Sequence, residues 1–177
     1  MILPTTYMGP VEWYRQFLAN PSAVQIEVME SFPKQTYRNR CTIATPDGPL
    51  TLTVPVKRVD SKQLTRDVEI SYQQRWQHQH WIALVSAYKR TPYFDYYADF
   101  FRPFYEQETR FLVDFNEKIH DVIVRLMAND EPRIKSQEQR LITTADWAGQ
   151  DLESTFGNGQ SILNILFEYG PESVMKI

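Results

Sequence analysis

The sequence predicts an α+β fold (mixed α/β), with an antiparallel, hairpin-containing sheet packed against several helices in a single domain over residues 1–177. Three observations carry this reading. Apolar and polar residues alternate on both sides of a Pro46-Asp47-Gly48 turn, the pattern of a β-hairpin over 36–56. Elsewhere apolar residues recur three and four positions apart, in stretches long enough for helices. Strand and helix patterns do not alternate regularly, so a doubly wound parallel sheet is not expected.

A chain of 177 residues can bury a core without staples. With 19 basic against 22 acidic residues and a pI near 5.6, no nucleic-acid partner is expected, because there is no overall positive field to attract one. The lone cysteine, Cys41, excludes an internal disulfide framework and a cysteine-based zinc site. No basic leader precedes an apolar core at the N-terminus, and no apolar run is long enough to insert in a membrane. The expected setting is cytoplasmic.

In chain order, Leu3 to Leu18 form an N-terminal segment whose helix starts at Gly9 and Pro10, with Val11, Tyr14, Phe17 and Leu18 at helical spacing. Asn20 and Pro21 end it. Val24, Ile26 and Val28 have the period of a half-buried strand. Thr36 to Ala44 alternates again, with Tyr37, Asn39, Cys41 and Ile43 on one side and Arg38 and Arg40 on the other. Leu50, Leu52 and Val54 return as the partner strand, and Val68 and Ile70 make a short further one. A central helix follows from Arg75, closed by Thr91 and Pro92. Phe94, Tyr97, Phe100 and Phe101 predict another helix. Pro103 should begin the longest, with Phe104, Phe111, Phe115, Ile119, Val122 and Leu126 as its stripe. A loop over 129–140, a short strand over 141–144 and a short helix from an N-capping Ser161 to Tyr169 complete the chain, which Gly170 and Pro171 terminate.

His80 lies near the middle of an apolar helix face formed by Trp76, Trp81, Ala83, Leu84, Ala87 and Tyr88. A buried histidine must find a hydrogen-bond partner, and burial lowers its pKa unless a carboxylate offsets that. It is either a satisfied core residue or a general acid/base. The segment Lys34 to Arg40 packs three cations and two amides into seven residues. Two arginines on one strand face accept a phosphate or carboxylate between their forked donors; the competing reading is a solvated face with local ion pairs. Cys41 reads as a small core residue ahead of a nucleophile paired with His80. His78 and His80 point to opposite sides of one helix and His120 sits in another, so no metal site is expected. Without a P-loop, a GxGxxG or a GxSxG elbow, no cofactor is expected either.

The segments LPTTYMGPVEWY, KQTYRNRCTI, LTLTVPVK, the His80-Trp81 pair, SAYKRTPYF and SILNILFEYG stand in this order between Leu3 and Gly170. As an ordered set they resemble the WbqC-like family. The resemblance implies a bacterial protein associated with O-antigen and other surface-polysaccharide biosynthesis. It puts the family's recurrent polar residues at Lys34, Tyr37, Asn39, Arg40, His80, Tyr88 and Tyr93, and it departs from the family's usual Gln-Pro opening in having Leu3 before Pro4. The expectation is a transferase moving a small acyl or aminoacyl group onto a sugar intermediate. His80 is then the general base, Arg40 and Asn39 hold an anionic or carbonyl oxygen, and Lys34, Tyr37, Arg38, Tyr88 and Tyr93 bind substrate. The expected partner is an anionic small molecule such as a nucleotide sugar or an acyl thioester. A non-enzymatic binding or scaffold protein of the same pathway is the alternative.

Overall fold

A computed structural model of the chain describes residues 1–128 and 159–177. The loop expected over 129–140 and the strand expected over 141–144 lie outside the described residues.

Residues 3–10 are all buried, so the N-terminal arm threads the interior and its backbone polar groups need partners there. Distant elements supply them. The Tyr7 N–H donates to the Tyr37 carbonyl at 2.9 Å and the Gly9 carbonyl accepts from the Ile162 N–H at 2.9 Å. The Pro4 carbonyl accepts from Trp13 Nε1 at 3.0 Å, and the Met8 carbonyl accepts from Ser161 Oγ at 2.8 Å. The start of the arm is a short strand, β1 (Ile2–Pro4), parallel to β2 (Gln25–Glu27). The sequence pattern predicts β2 but not β1, which is three residues long and exists only through that pairing. Helix α1 (Val11–Ala19) follows the Pro10 cap and turns Trp13, Tyr14 and Phe17 inward.

The hairpin consists of β3 (Arg40–Thr45) and β4 (Gly48–Thr53), antiparallel, with Cys41 opposite Leu52 and Arg40 opposite Thr53. Pro46 and Asp47 form its turn, and Gly48 takes the positive φ of 114° that the turn requires. The strand starts later than the alternation suggests. Residues 34–39 are turns, and Gln35 has φ 64°, so Arg38 and Arg40 do not share a strand face. Arg38 is instead buried and ion-paired to Glu30, its Nε lying 2.6 Å from Glu30 Oε1.

Helix α2 (Trp76–Tyr88) buries Trp76, His80, Leu84 and Tyr88, one residue per turn. Helix α3 (Phe94–Phe101) buries Phe94 and Phe101. The long helix expected from Pro103 is two: α4 (Pro103–Glu106) and α5 (Leu112–Met127). The intervening stretch is held by tertiary bonds that a helix would forbid. The Ile70 N–H donates to the Arg110 carbonyl and the Leu112 N–H to the Val68 carbonyl, both at 2.9 Å. Gln77 Nε2 donates to the carbonyls of Phe104 and Gln107. Beyond the break, α5 buries Phe115, Ile119, Ile123 and Leu126, the stripe its period predicts. Each such side chain contributes about 1.5–3 kcal/mol relative to exposure.

Helix α6 (Leu163–Tyr169) is preceded by Ser161, whose hydroxyl also accepts the Leu163 N–H at 3.3 Å. Gly170 closes the helix with φ 55° and ψ −128° and leads into a 3-10 turn over Gly170–Met175. A Cβ at Gly170 would come within 2.4–2.6 Å of Tyr93 ring atoms, and its backbone conformation is strained for any L side chain. Gly170→Ala is therefore expected to cost about 2–4 kcal/mol. Thermal unfolding of the variant against the parent measures it, and an unchanged midpoint would contradict this packing.

Candidate functional site

Two polar regions border the buried arm, one closed and one open. In the closed one, Tyr7 Oη lies 2.9 Å from His80 Nδ1 and 2.9 Å from Tyr105 Oη. The His80 ring also bonds the Thr53 carbonyl. A carbonyl can only accept, so the imidazole N–H faces Thr53 and Nδ1 is left to accept from Tyr7. Tyr7 in turn accepts from Tyr105, whose hydroxyl also reaches Met8 Sδ at 3.6 Å, giving a chain Tyr105→Tyr7→His80→Thr53. Burial pulls the His80 pKa down to about 4, with the Thr53 carbonyl opposing. The same burial pushes the Tyr7, Tyr105 and Cys41 groups up, so Cys41 stays a thiol at neutral pH and does not act as a thiolate nucleophile.

Three of the sequence-predicted site residues meet at the end of β4. Asn39 Nδ2 donates to the Val54 carbonyl at 3.0 Å, Arg40 stands opposite Thr53, and His80 reaches the Thr53 carbonyl. Asn39 Oδ1 and Arg40 Nε are buried without a hydrogen-bond partner among the described residues. Tyr37 joins this group through its backbone, which holds Tyr7. The other four lie elsewhere. Lys34 is exposed on the turn, Arg38 is closed off by Glu30, Tyr88 donates to Asn164 Oδ1 near the far end of the hairpin, and Tyr93 packs on Gly170.

The open region is a cavity of about 170 Å3 between the arm, β2 and the first turns of α5. Thr5, Thr6, Trp13, Phe111, Asn116 and His120 contribute to its wall, with Asp114, Glu117 and Arg66 also lining it. Asn116 is 2% exposed, and its Nδ2 donates to the Arg38 carbonyl at 2.8 Å and to Thr5 Oγ1 at 3.1 Å. Because a carbonyl cannot donate, the amide orientation is fixed and Oδ1 is an acceptor. That oxygen is buried with no partner among the described residues, as is Nδ1 of His120. The His120 ring is wedged edge-on against Trp13 and Phe17, at centroid distances of 5.2 and 4.6 Å, and stacks on Tyr14. Packing among these rings strips much of its hydration and holds its pKa down to about 4, so it is neutral at pH 7. The arrangement offers aromatic wall, fixed hydrogen-bonding atoms and carboxylates in one concavity, which is how proteins bind small polar molecules.

Thr5, Thr6, Asn116 and His120 do not figure among the sequence-predicted site residues. A signal for two of them existed: Asn116 and His120 are four apart, beside Phe115 and Ile119 on the buried stripe, the same anomaly that singles out His80. The threonines left no trace, since only the burial of the arm brings them to the cavity. Among the described residues, no three His, Cys, Asp or Glu side chains are grouped so as to hold a metal ion, and no helix is long and apolar enough to cross a membrane.

Residues 10–147 match the model of the WbqC-like protein family. The match spans most of the chain, which therefore belongs to that family. No curated protein and no solved structure matches the chain.

Both His80 and His120 have folded-state pKa values of about 4 against 6.5 when exposed. A base with a depressed folded pKa stabilises the fold fully above its unfolded value, and this stability is lost as pH falls toward the folded one. The protein is thus expected to weaken between pH 6.5 and 4, His80 accounting for about 3 kcal/mol. Denaturant titrations across that range should have a shallower pH slope for His80→Gln, by about one proton; an identical slope would mean that His80 titrates normally.

Proposed function

We propose that this chain serves the assembly of bacterial O-antigen or another surface polysaccharide by binding a sugar-derived intermediate in the cavity beneath its N-terminal arm. The observation that carries this reading is Asn116, a residue of the concavity wall with Trp13 and His120, whose buried Oδ1 has a fixed orientation and no partner among the described residues. A buried acceptor left unbonded costs about 1–3 kcal/mol, and a ligand hydroxyl or amine in the cavity would satisfy it. The pathway is drawn from family membership. A cytoplasmic setting suits the lone, buried, reduced Cys41.

Group transfer onto that intermediate is the second reading. Its support is the Tyr105→Tyr7→His80 chain beside Asn39 and Arg40, a neutral imidazole next to a buried amide oxygen and a guanidinium nitrogen that lack partners among the described residues. In that reading the proton of the attacking hydroxyl or amine reaches His80 Nδ1 through Tyr7, Asn39 Oδ1 accepts from the attacking group, and Arg40 Nε holds the oxygen of the transferred group.

Thermal unfolding against monosaccharides, nucleotide sugars, acyl-CoA thioesters and inorganic anions tests both readings. A ligand at a hundred times its Kd adds about 2.7 kcal/mol, a shift of several degrees. Saccharide-derived hits lost in Asn116→Ala, with the parent fold retained, support binding in the cavity. Hits lost instead in a folded Arg40→Ala move the site to the end of β4. No shift with any saccharide derivative overturns the proposal.

A further inference from the structure

From the hydrogen bonds around Tyr7, we infer that Tyr105, Tyr7 and His80 form a reversible chain ending on the Met8 sulfur, which lets the buried imidazole take up a proton at Nδ1 without stranding a donor. Its use as a base rests on the group-transfer reading; the chain itself does not.

The neutral state sets the starting arrangement. His80 donates to the Thr53 carbonyl, so Nδ1 accepts from Tyr7 and Tyr7 accepts from Tyr105. A proton on Nδ1 turns that acceptor into a donor. Tyr7 must then accept from His80, and its own O–H needs a new acceptor at a residue that is 0% exposed. The Tyr105 oxygen, 2.9 Å away, supplies it once the Tyr105 proton turns aside. That proton has Met8 Sδ at 3.6 Å, and a thioether accepts weakly while having nothing to donate. The order becomes His80→Tyr7→Tyr105→Met8. Each hydroxyl donates one bond before and after, and only hydrogens turn.

Backbone geometry singles out Met8. Along an extended segment successive side chains point to opposite faces, yet Tyr7 and Met8 reach the same Tyr105 hydroxyl. The alternation breaks at Met8, whose φ is 45°. Few residues other than glycine adopt that conformation, and it persists where surrounding contacts hold it, often at sites that serve function. The arm thus supplies both the hydroxyl beside His80 and the end of the chain.

The groups around His80 leave its protonation to these bonds. The arm brings Tyr7, α4 brings Tyr105, and the hairpin brings Cys41 and, opposite Thr53, Arg40. Trp76 of α2 packs edge-on against the imidazole, and Phe115 of α5 stacks on Tyr7. Burial keeps Tyr7, Tyr105 and Cys41 protonated. Among the described residues no carboxylate acts on the imidazole: burial lowers its pKa and the Thr53 carbonyl opposes.

NMR titration of the His80 ring in the full chain, from pH 7 to 3 with sucrose to hold the fold, tests the inference. The parent ring should titrate at about 4 and carry its neutral proton on Nε2. Met8→Leu, which conserves volume and removes the sulfur, is expected to lower that pKa by about one pH unit. Tyr105→Phe should lower it by a similar amount, because Tyr7 then has no hydroxyl to turn to. In the double variant the two effects should not add, since Met8 acts only through Tyr105, whereas altered packing or hydration would act in both backgrounds. A His80 pKa unchanged in Met8→Leu, a Met8→Leu effect that persists in Tyr105→Phe, or a parent ring that stays neutral until acid unfolding overturns the chain. Should Met8→Leu not fold, Tyr105→Phe decides, an unchanged pKa overturning it. The expected titrations in a protein whose ligand hits never depend on Arg40 uphold the chain and remove the group-transfer reading. Arg40-dependent hits with no Met8 effect overturn the chain and keep that reading.

Discussion

The structure depends on burying eight consecutive residues of the N-terminal arm, from Leu3 to Pro10. An extended segment inside a protein has to satisfy each backbone donor and acceptor without a helix of its own, and this one does so by calling on the whole chain. Tyr37, Trp13, Ser161 and Ile162 all bond its backbone. Asn116 bonds its Thr5 side chain, and His80 and Tyr105 bond its Tyr7 hydroxyl. Elements more than a hundred residues apart are thus fastened to one strand of polypeptide. Loss of the arm would leave unpaired groups on the turn, on α5 and on α6 together.

Polar groups on either side of this arm differ in what they can do. Around Tyr7 the hydrogen bonds close on themselves, and the result is a rigid, neutral core network. Around Thr5 and Thr6 they do not close. Asn116 spends its two donors on structure, fastening the arm to the Arg38 turn, and its oxygen has no partner among the described residues. The Arg38–Glu30 pair has its place in this arrangement. By neutralising a guanidinium that is 2% exposed, it holds the turn whose carbonyl fixes the Asn116 amide. A cationic run that reads in the sequence as an anion site is in part the scaffold of the turn that orients Asn116.

Several features were legible because they are local. The hairpin turn is set by Pro46-Asp47-Gly48, the helices α1, α2, α3 and α5 by their apolar spacing, and the buried position of His80 by its place on the stripe of α2. The convergence of His80, Asn39 and Arg40 follows from a helix lying against the end of a hairpin. Lys34, Tyr88 and Tyr93 share family residues with that group but not its location, since strand and helix separate them in space. The helix expected from Pro103 was misread because nothing in its period reveals that residues 110–112 bond to 68–70.

By itself, then, the sequence determined the α+β class, the hairpin, most helix faces and the family, all of which are written in periodicity, turn chemistry and ordered motifs. The tertiary structure alone decided that the N-terminal arm is buried, that Arg38 is paired and not free, that α4 and α5 are separate, and that Thr5 and Asn116 share a cavity. Those outcomes depend on hydrogen bonds and ion pairs between residues from 8 to 153 positions apart. Residue spacing along a chain encodes which face a side chain takes, whereas its partner is fixed only when the faces meet.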